Sequence, residues 1–129
     1  MIDFNSGIIH ISDDLRIYRR FSFDEFRKTS FYTGQDPERS FYLNDKQCID
    51  GRNYRIGLFF RSGVIYMVSL ICCDKVFDME TEPERKNFHD MILKEYSINS
   101  RQTYDWGRVS SNYEPRGNIS SIDITYFDG

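Results

Sequence analysis

The chain is poor in several features that would narrow its function at once. Only 3 prolines and 8 glycines occur in 129 residues, which excludes collagen-like repeats and low-complexity tails, and a hydrophobic share of 40% excludes disorder as the organising principle. There are 3 cysteines, Cys48, Cys72 and Cys73, with no CxxC pair. An odd count without a leader points to free thiols in a reducing compartment. No basic n-region precedes an apolar run at the N-terminus, and no stretch approaches the ~18 apolar residues that a bilayer span needs. A cytoplasmic protein without membrane contact is therefore expected. Basic charge is not in excess either: 17 Lys and Arg stand against 20 Asp and Glu, a net charge of −3, which disfavours direct binding to nucleic acid.

The sequence signatures of common chemistries are missing too. No GxGxxG, GxxxxGK[ST], GxSxG or HExxH occurs, so dinucleotide, phosphate-loop, hydrolase-elbow and zincin readings have no support. The 2 histidines, His10 and His89, lie far apart, and Cys72 and Cys73 fall in an apolar run, so no metal-ligand spacing exists. No catalytic residue, metal or cofactor is expected. The one candidate for a small enzyme is His89 with Asp90 or Glu95 on the outer face of a helix, an arrangement that more often makes a solvated ion pair.

Aromatic residues are plentiful, with 11 Phe and 9 Tyr, and suit a β-containing core. Residues 7–11 and 15–21 read as two early strands joined across Ser12-Asp13-Asp14. Ser22 and Glu25 form a capping box that opens a short helix to about Lys28, with Phe23 and Phe26 on one side. Stretches 40–43 and 46–49 flank a tight turn at Asn44-Asp45, and Asp50-Gly51 is a second turn. Tyr54, Ile56, Leu58 and Phe60 alternate with Arg55, Gly57, Phe59 and Arg61, and Ser62-Gly63 closes a hairpin into 64–73. That last strand is apolar on both faces and is expected to be central and covered on both sides.

Thr81 and Glu84 form a second capping box, with Pro83 inside the start of a helix running to about Tyr96. Its buried stripe is predicted as Phe88, Met91, Ile92 and Tyr96, with Arg85, Lys86, His89, Asp90 and Lys94 outward. Two C-terminal strands joined at Pro115–Gly117 follow, the second alternating Ile122, Ile124 and Tyr126 with Asp123, Thr125 and Phe127. With no repeated βαβ unit, the expected fold is a single α+β domain over 1–129: an antiparallel sheet packed with one long and one short helix.

Charge is unevenly spread. Residues 1–73 hold 10 basic and 9 acidic groups and residues 85–129 hold 6 of each, whereas 74–84 holds Asp74, Asp78, Glu80, Glu82 and Glu84 against Lys75 alone. Acids at a helix N-terminus complement its dipole, which accounts for Glu82 and Glu84 but not for the others. Val76, Phe77 and Met79 are interspersed among them. Acidic groups around apolar anchors are what a surface aimed at a basic partner needs. The candidate partner-binding residues are therefore Asp74, Asp78, Met79, Glu80, Glu82 and Glu84, joined by Tyr113 and Glu114 of the C-terminal hairpin. A ligand-binding or scaffold module, with Tyr32, Phe41 and Tyr113 lining a cleft, is the alternative.

The stretch from Tyr104-Asp105-Trp106-Gly107-Arg108-Val109-Ser110 through Tyr113-Glu114-Pro115-Arg116-Gly117 to Ile122-Asp123-Ile124-Thr125-Tyr126 resembles the ending of a group of small bacterial proteins. The run Tyr54-Arg55-Ile56-Gly57-Leu58-Phe59-Phe60 and the helix with Phe88-His89-Asp90 and Leu93 are similar to theirs as well, so the likeness spans about the last eighty residues. Members are encoded beside secreted toxins, and some are immunity proteins of contact-dependent growth inhibition systems. The resemblance implies one-to-one binding to the C-terminal domain of a cognate toxin, a nuclease, over or near its active site. It implies structural roles for Trp106 as a core anchor and for Gly107 and Gly117 in backbone conformation, and it transfers no catalytic residue.

Overall fold

The structure, a computed structural model, describes residues 1–128. In chain order the elements are β1 (Ile2–Asp3), β2 (Ile8–Ser12), β3 (Leu15–Ile17), α1 (Phe23–Phe26), β4 (Phe41–Tyr42), β5 (Gln47–Ile49), β6 (Arg52–Arg61), β7 (Val64–Cys72), α2 (Glu82–Glu95), β8 (Arg101–Thr103), β9 (Gly107–Glu114) and β10 (Ile119–Tyr126). A three-stranded sheet has the order β1-β2-β3, and a seven-stranded sheet runs β4-β6-β7-β10-β9-β8 with β5 also on β6. All pairings are antiparallel. The fold is α+β, with one long and one short helix, as expected.

Local chemistry explains the hairpins. Asp50 and Gly51 have φ of 52° and 82°, and Ser62 and Gly63 have 52° and 77°. Two consecutive positive φ values turn the chain in the sense that matches the right-handed twist of the flanking strands. The Ser22 capping box is formed in full: Glu25 N–H donates to Ser22 Oγ at 3.1 Å and Ser22 N–H donates to Glu25 Oε2 at 2.8 Å. Asn44-Asp45 differs from its expected role, because β4 and β5 both pair with β6 rather than with each other. Ten-residue β6 is long enough to offer both short pieces a ladder along one edge.

The core lies on one side of the large sheet. Tyr54, Ile56, Leu58, Val68, Leu70, Cys72, Val109, Ile122 and Ile124 point to that side and are almost wholly buried. They meet Ile92 and Leu93 of α2, Phe23 and Phe26 of α1, and Ile9, Leu15 and Ile17 of the small sheet in one cluster. Trp106 closes one end of it. Its indole N–H donates to Phe4 O at 2.9 Å, its ring stacks on Tyr104 at 5.2 Å, and Gly7 lies against its face, where a Cβ would approach to 2.5 Å. Gly107 is needed for a different reason: a Cβ there would fall 2.0 Å from Thr125 O. Gly117 does not carry the left-handed turn residue of its hairpin; Asn118 does, with φ of 51°.

Three expectations are corrected. First, β7 is central and its second half is buried on both faces, with Ser69 and Ile71 of the outer face 3% and 8% exposed, but both helices and the small sheet pack on the inner face alone. On the outer face Phe59, Tyr66 and Met67 are half-buried and Arg55 and Arg61 are exposed. Second, the buried stripe of α2 is His89, Ile92 and Leu93, while Met91 is 46% exposed and Phe88 and Tyr96 are only partly buried. The helix is rotated about its axis because Arg85 and His89 find backbone partners at the end of β7. Third, Thr81 makes no side-chain cap on α2, for a reason that belongs to the segment before it. No helix among the described residues is long and apolar enough to cross a membrane.

Candidate functional site

Segment 74–84 leaves the end of β7 and climbs to the N-terminus of α2. Its backbone is held by polar side chains rather than by burial. Asp74 Oδ1 accepts from the N–H and the side-chain amide of Asn53, each at 3.1 Å. Asp78 and Thr81 cap one another: Thr81 N–H donates to Asp78 Oδ1 at 2.8 Å, and Asp78 N–H donates to Thr81 Oγ1 at 2.9 Å. This is capping-box geometry placed three residues before the expected one. It turns the Thr81 hydroxyl toward Asp78, and Glu84 N–H donates to Thr81 O at 2.8 Å instead. The Thr81 N–H, with the Thr81 hydroxyl and the Glu80 N–H behind it, holds the Asp78 carboxyl below the usual carboxylate range.

The structure brings the two groups of candidate residues together. Asn118, in the β9–β10 turn, donates to Met79 O at 2.8 Å and accepts from the Tyr113 hydroxyl at 2.7 Å. Ser120 N–H donates to Glu82 Oε2 at 3.0 Å, and its hydroxyl donates to Glu82 O at 2.9 Å. Glu114 accepts from Arg116 N–H at 3.0 Å and from Gly117 N–H, so its carboxylate shapes the turn. Asn118, Asn53 and Ser120 were not singled out from the sequence. A Gly-Asn pair after a proline is the available signal for Asn118, whereas nothing local marks the other two.

The acids thus divide by role. Glu82 is internal: its side chain is 14% exposed and binds Arg85 at 3.0 Å through both oxygens within 3.1 Å. Asp74 and Glu114 are exposed but occupied with backbone groups. Asp78, Glu80 and Glu84 face solvent. Beside them Val76 is 93% exposed and Met79 85% exposed, unusual values for apolar side chains in an ordered segment. Phe77 tucks in behind them, 6.4 Å from the Phe88 ring, with the Arg85 guanidinium 4.7 Å above it. Lys75, Val76, Phe77, Glu84, Phe88 and Met91 line an open groove of about 510 Å³ on the outer side of α2.

His89 is corrected from outward to fully buried. Its Nε2 accepts from Cys72 N–H at 3.1 Å, while Arg85 donates to Cys72 O, so both backbone groups of Cys72 are tied to α2. Accepting at Nε2 puts the imidazole proton on Nδ1, which has no partner. Burial, reinforced by the Arg85 charge and opposed by Asp90, pushes the His89 pKa down to about 4. No surface of this imidazole is open to a substrate. Arg85 and Lys86 are also less outward than expected, Arg85 through Glu82 and Cys72, Lys86 through Asp90 at 3.1 Å. Tyr32 and Phe41 both contact Phe23, but Tyr113 lies elsewhere on β9, so the three do not line one cleft. Among the described residues no group of three or more His, Cys, Asp or Glu is placed to hold a metal ion. No family model, no curated protein and no solved structure matches the chain.

Proposed function

We propose that this protein is a cytoplasmic immunity protein that neutralises the C-terminal domain of a cognate secreted toxin, a nuclease, by one-to-one binding over or near its active site. The observation that carries the reading is an acidic segment whose apolar residues point outward although its backbone is ordered. Val76 and Met79 stand 93% and 85% exposed beside Asp78, Glu80 and Glu84, on a loop pinned by Asn53, Thr81 and Asn118. A pre-ordered loop loses little conformational entropy on docking, and apolar anchors ringed by charge combine slow release with steered approach. A basic substrate cleft is the complementary surface. The resemblance of the Trp106-Gly107 to Tyr126 ending to immunity proteins supports the same reading.

The test is co-expression with candidate toxin domains from the neighbouring genes, followed by binding kinetics at low and high salt. Protection of cells and salt-sensitive association are expected. Glu80→Lys with Glu84→Lys, both exposed and free of side-chain partners, should slow association about tenfold or more without unfolding the protein. An unchanged association rate would remove this segment from the interface. Failure to protect against or bind any adjacent toxin domain would remove the immunity role itself.

A further inference from the structure

The uncovered face of the seven-stranded sheet has a composition unlike the rest of the surface. Arg55, Arg61, Arg101 and Arg108 all project from it by strand parity, since Arg101 opposes Ser110, Ser110 opposes Asp123, and Asp123 opposes Ser69 across the ladders. Asp123 is the one acid in the central part of this face, and it accepts from Asn112 at 2.7 Å and Ser121 at 2.9 Å. None of the five lysines lies on any strand of the sheet. Between the arginines sit Phe59, Tyr66 and Met67, half-buried, where a bulge opposite Phe59 adds Tyr66 to the open side. Tyr42 lies flat over Gly57, where a Cβ would be 2.9 Å from its ring.

Arginine, aromatic residues and methionine together, with no lysine and with acids other than Asp123 only at the margins (Glu114 at the end of β9, Glu38 and Asp128 beside Arg61 and Tyr66), is the composition of a protein-binding face. A stacking platform for bases fits less well, because the Arg55 and Arg61 guanidinia already sit over the Tyr42 and Tyr66 rings at 4.8 Å and 4.2 Å. The occupant must offer acids around apolar anchors. The chain itself carries such a surface: segment 74–84, with Val76 and Met79 protruding beside Glu80 and Glu84. That segment cannot fold back onto its own sheet face, because Asn118 and the Asp78–Thr81 box hold it at the sheet's end on the helix side.

We propose that the open sheet face receives segment 74–84 of a second copy of this chain. The two surfaces differ, so the contact is heterologous and leads to head-to-tail chains or rings rather than to a two-fold dimer. Resting on the functional reading above, self-association would cover the same segment that a toxin requires, so toxin binding would dissolve the assembly. The contact itself stands or falls independently of any toxin.

Sedimentation velocity of the full chain over a wide concentration range, at about 20 mM and about 300 mM salt, tests it directly. A mean mass that rises with concentration at low salt and returns to one chain at high salt is expected. Arg55→Glu with Arg61→Glu, and separately Glu80→Lys with Glu84→Lys, should each leave only single chains. An equimolar mixture of those two variants should associate again, because each then offers the other an opposite charge at both contacts. Asp13→Lys with Asp45→Lys, which carries the same net charge as Glu80→Lys with Glu84→Lys but leaves both contact surfaces intact, should still associate at low salt on its own. A chain that stays single at every concentration in low salt, or a mixture that does not regain mass, would overturn the proposal.

Discussion

The two ends of the β9–β10 hairpin treat large apolar side chains in opposite ways. At one end Trp106 is buried against Gly7, Tyr104 and Tyr126, and its indole N–H is satisfied by Phe4 O. At the other end Val76 and Met79 stand in water while the backbone beneath them is held by Asn53, Asp78, Thr81 and Asn118. The first end is ordered by apolar burial, the second by polar capping. The comparison shows that order and burial are separable: a segment whose backbone groups are satisfied by side-chain oxygens and amides can keep its apolar residues free for a partner.

That contrast can be broken most severely at the Trp106 end. Trp106→Ala removes the indole from a packed site and should cost about 3–5 kcal/mol, measured by urea unfolding. Gly7→Ala should cost about 2 kcal/mol or more, because a Cβ would strike the Trp106 ring and a φ of +77° strains any L side chain. The same denaturation curves check it.

His89 joins the two ends through α2 and gives a pH test. Its pKa in the folded state is about 4, below the ordinary value of 6.5, so the unfolded chain binds the proton first as pH falls. The stabilisation is complete above about pH 6.5 and is lost downward to about pH 4; between about pH 7 and pH 5 His89 should account for a loss of roughly 2 kcal/mol. His89→Gln, which can still accept from Cys72 N–H, should flatten that dependence, whereas a slope unchanged by the substitution would contradict the burial argument.

At the exposed end effects on stability shrink. Asp78→Ala removes the acceptor for Glu80 and Thr81 N–H and should loosen the segment with little loss of global stability. Hydrogen exchange at Glu80 and Thr81 should quicken more than exchange in β10. Glu80→Lys with Glu84→Lys should lower stability by only about 1 kcal/mol, from the reversed charge of Glu84 in the first turn of α2, since neither side chain is buried or paired. A large change from that pair would mean the segment is ordered by charge rather than by capping.

Much of this was legible in the sequence wherever the cause is local. The Asp50-Gly51 and Ser62-Gly63 turns, the Ser22–Glu25 box and the alternation along β6 and β10 depend on residues within a few positions of one another. The acidic segment was legible as charge, but not the division of its labour. Glu82 turns inward because Ser120, 38 residues on, presents an unpaired N–H. The Asp78–Thr81 box was hidden by a competing Thr81–Glu84 pattern one turn later. His89 looked like a surface residue because the neighbouring pattern of Phe88, Met91 and Ile92 suggested a different rotation of the helix. Its bond to Cys72, 17 residues away, together with that of Arg85, sets the rotation.

Strand parity, turn chemistry and the concentration of negative charge at 74–84 are properties of the chain alone, because they arise from near neighbours and the two-residue repeat of an extended backbone. Which parity becomes core and which stays bare, which helix face turns inward, and which acids remain free for another molecule are set by the packed molecule. Each of those choices is made by groups far apart in sequence, and one-sided packing buries one set of alternating side chains fully while leaving the aromatic residues of the opposite set half-buried.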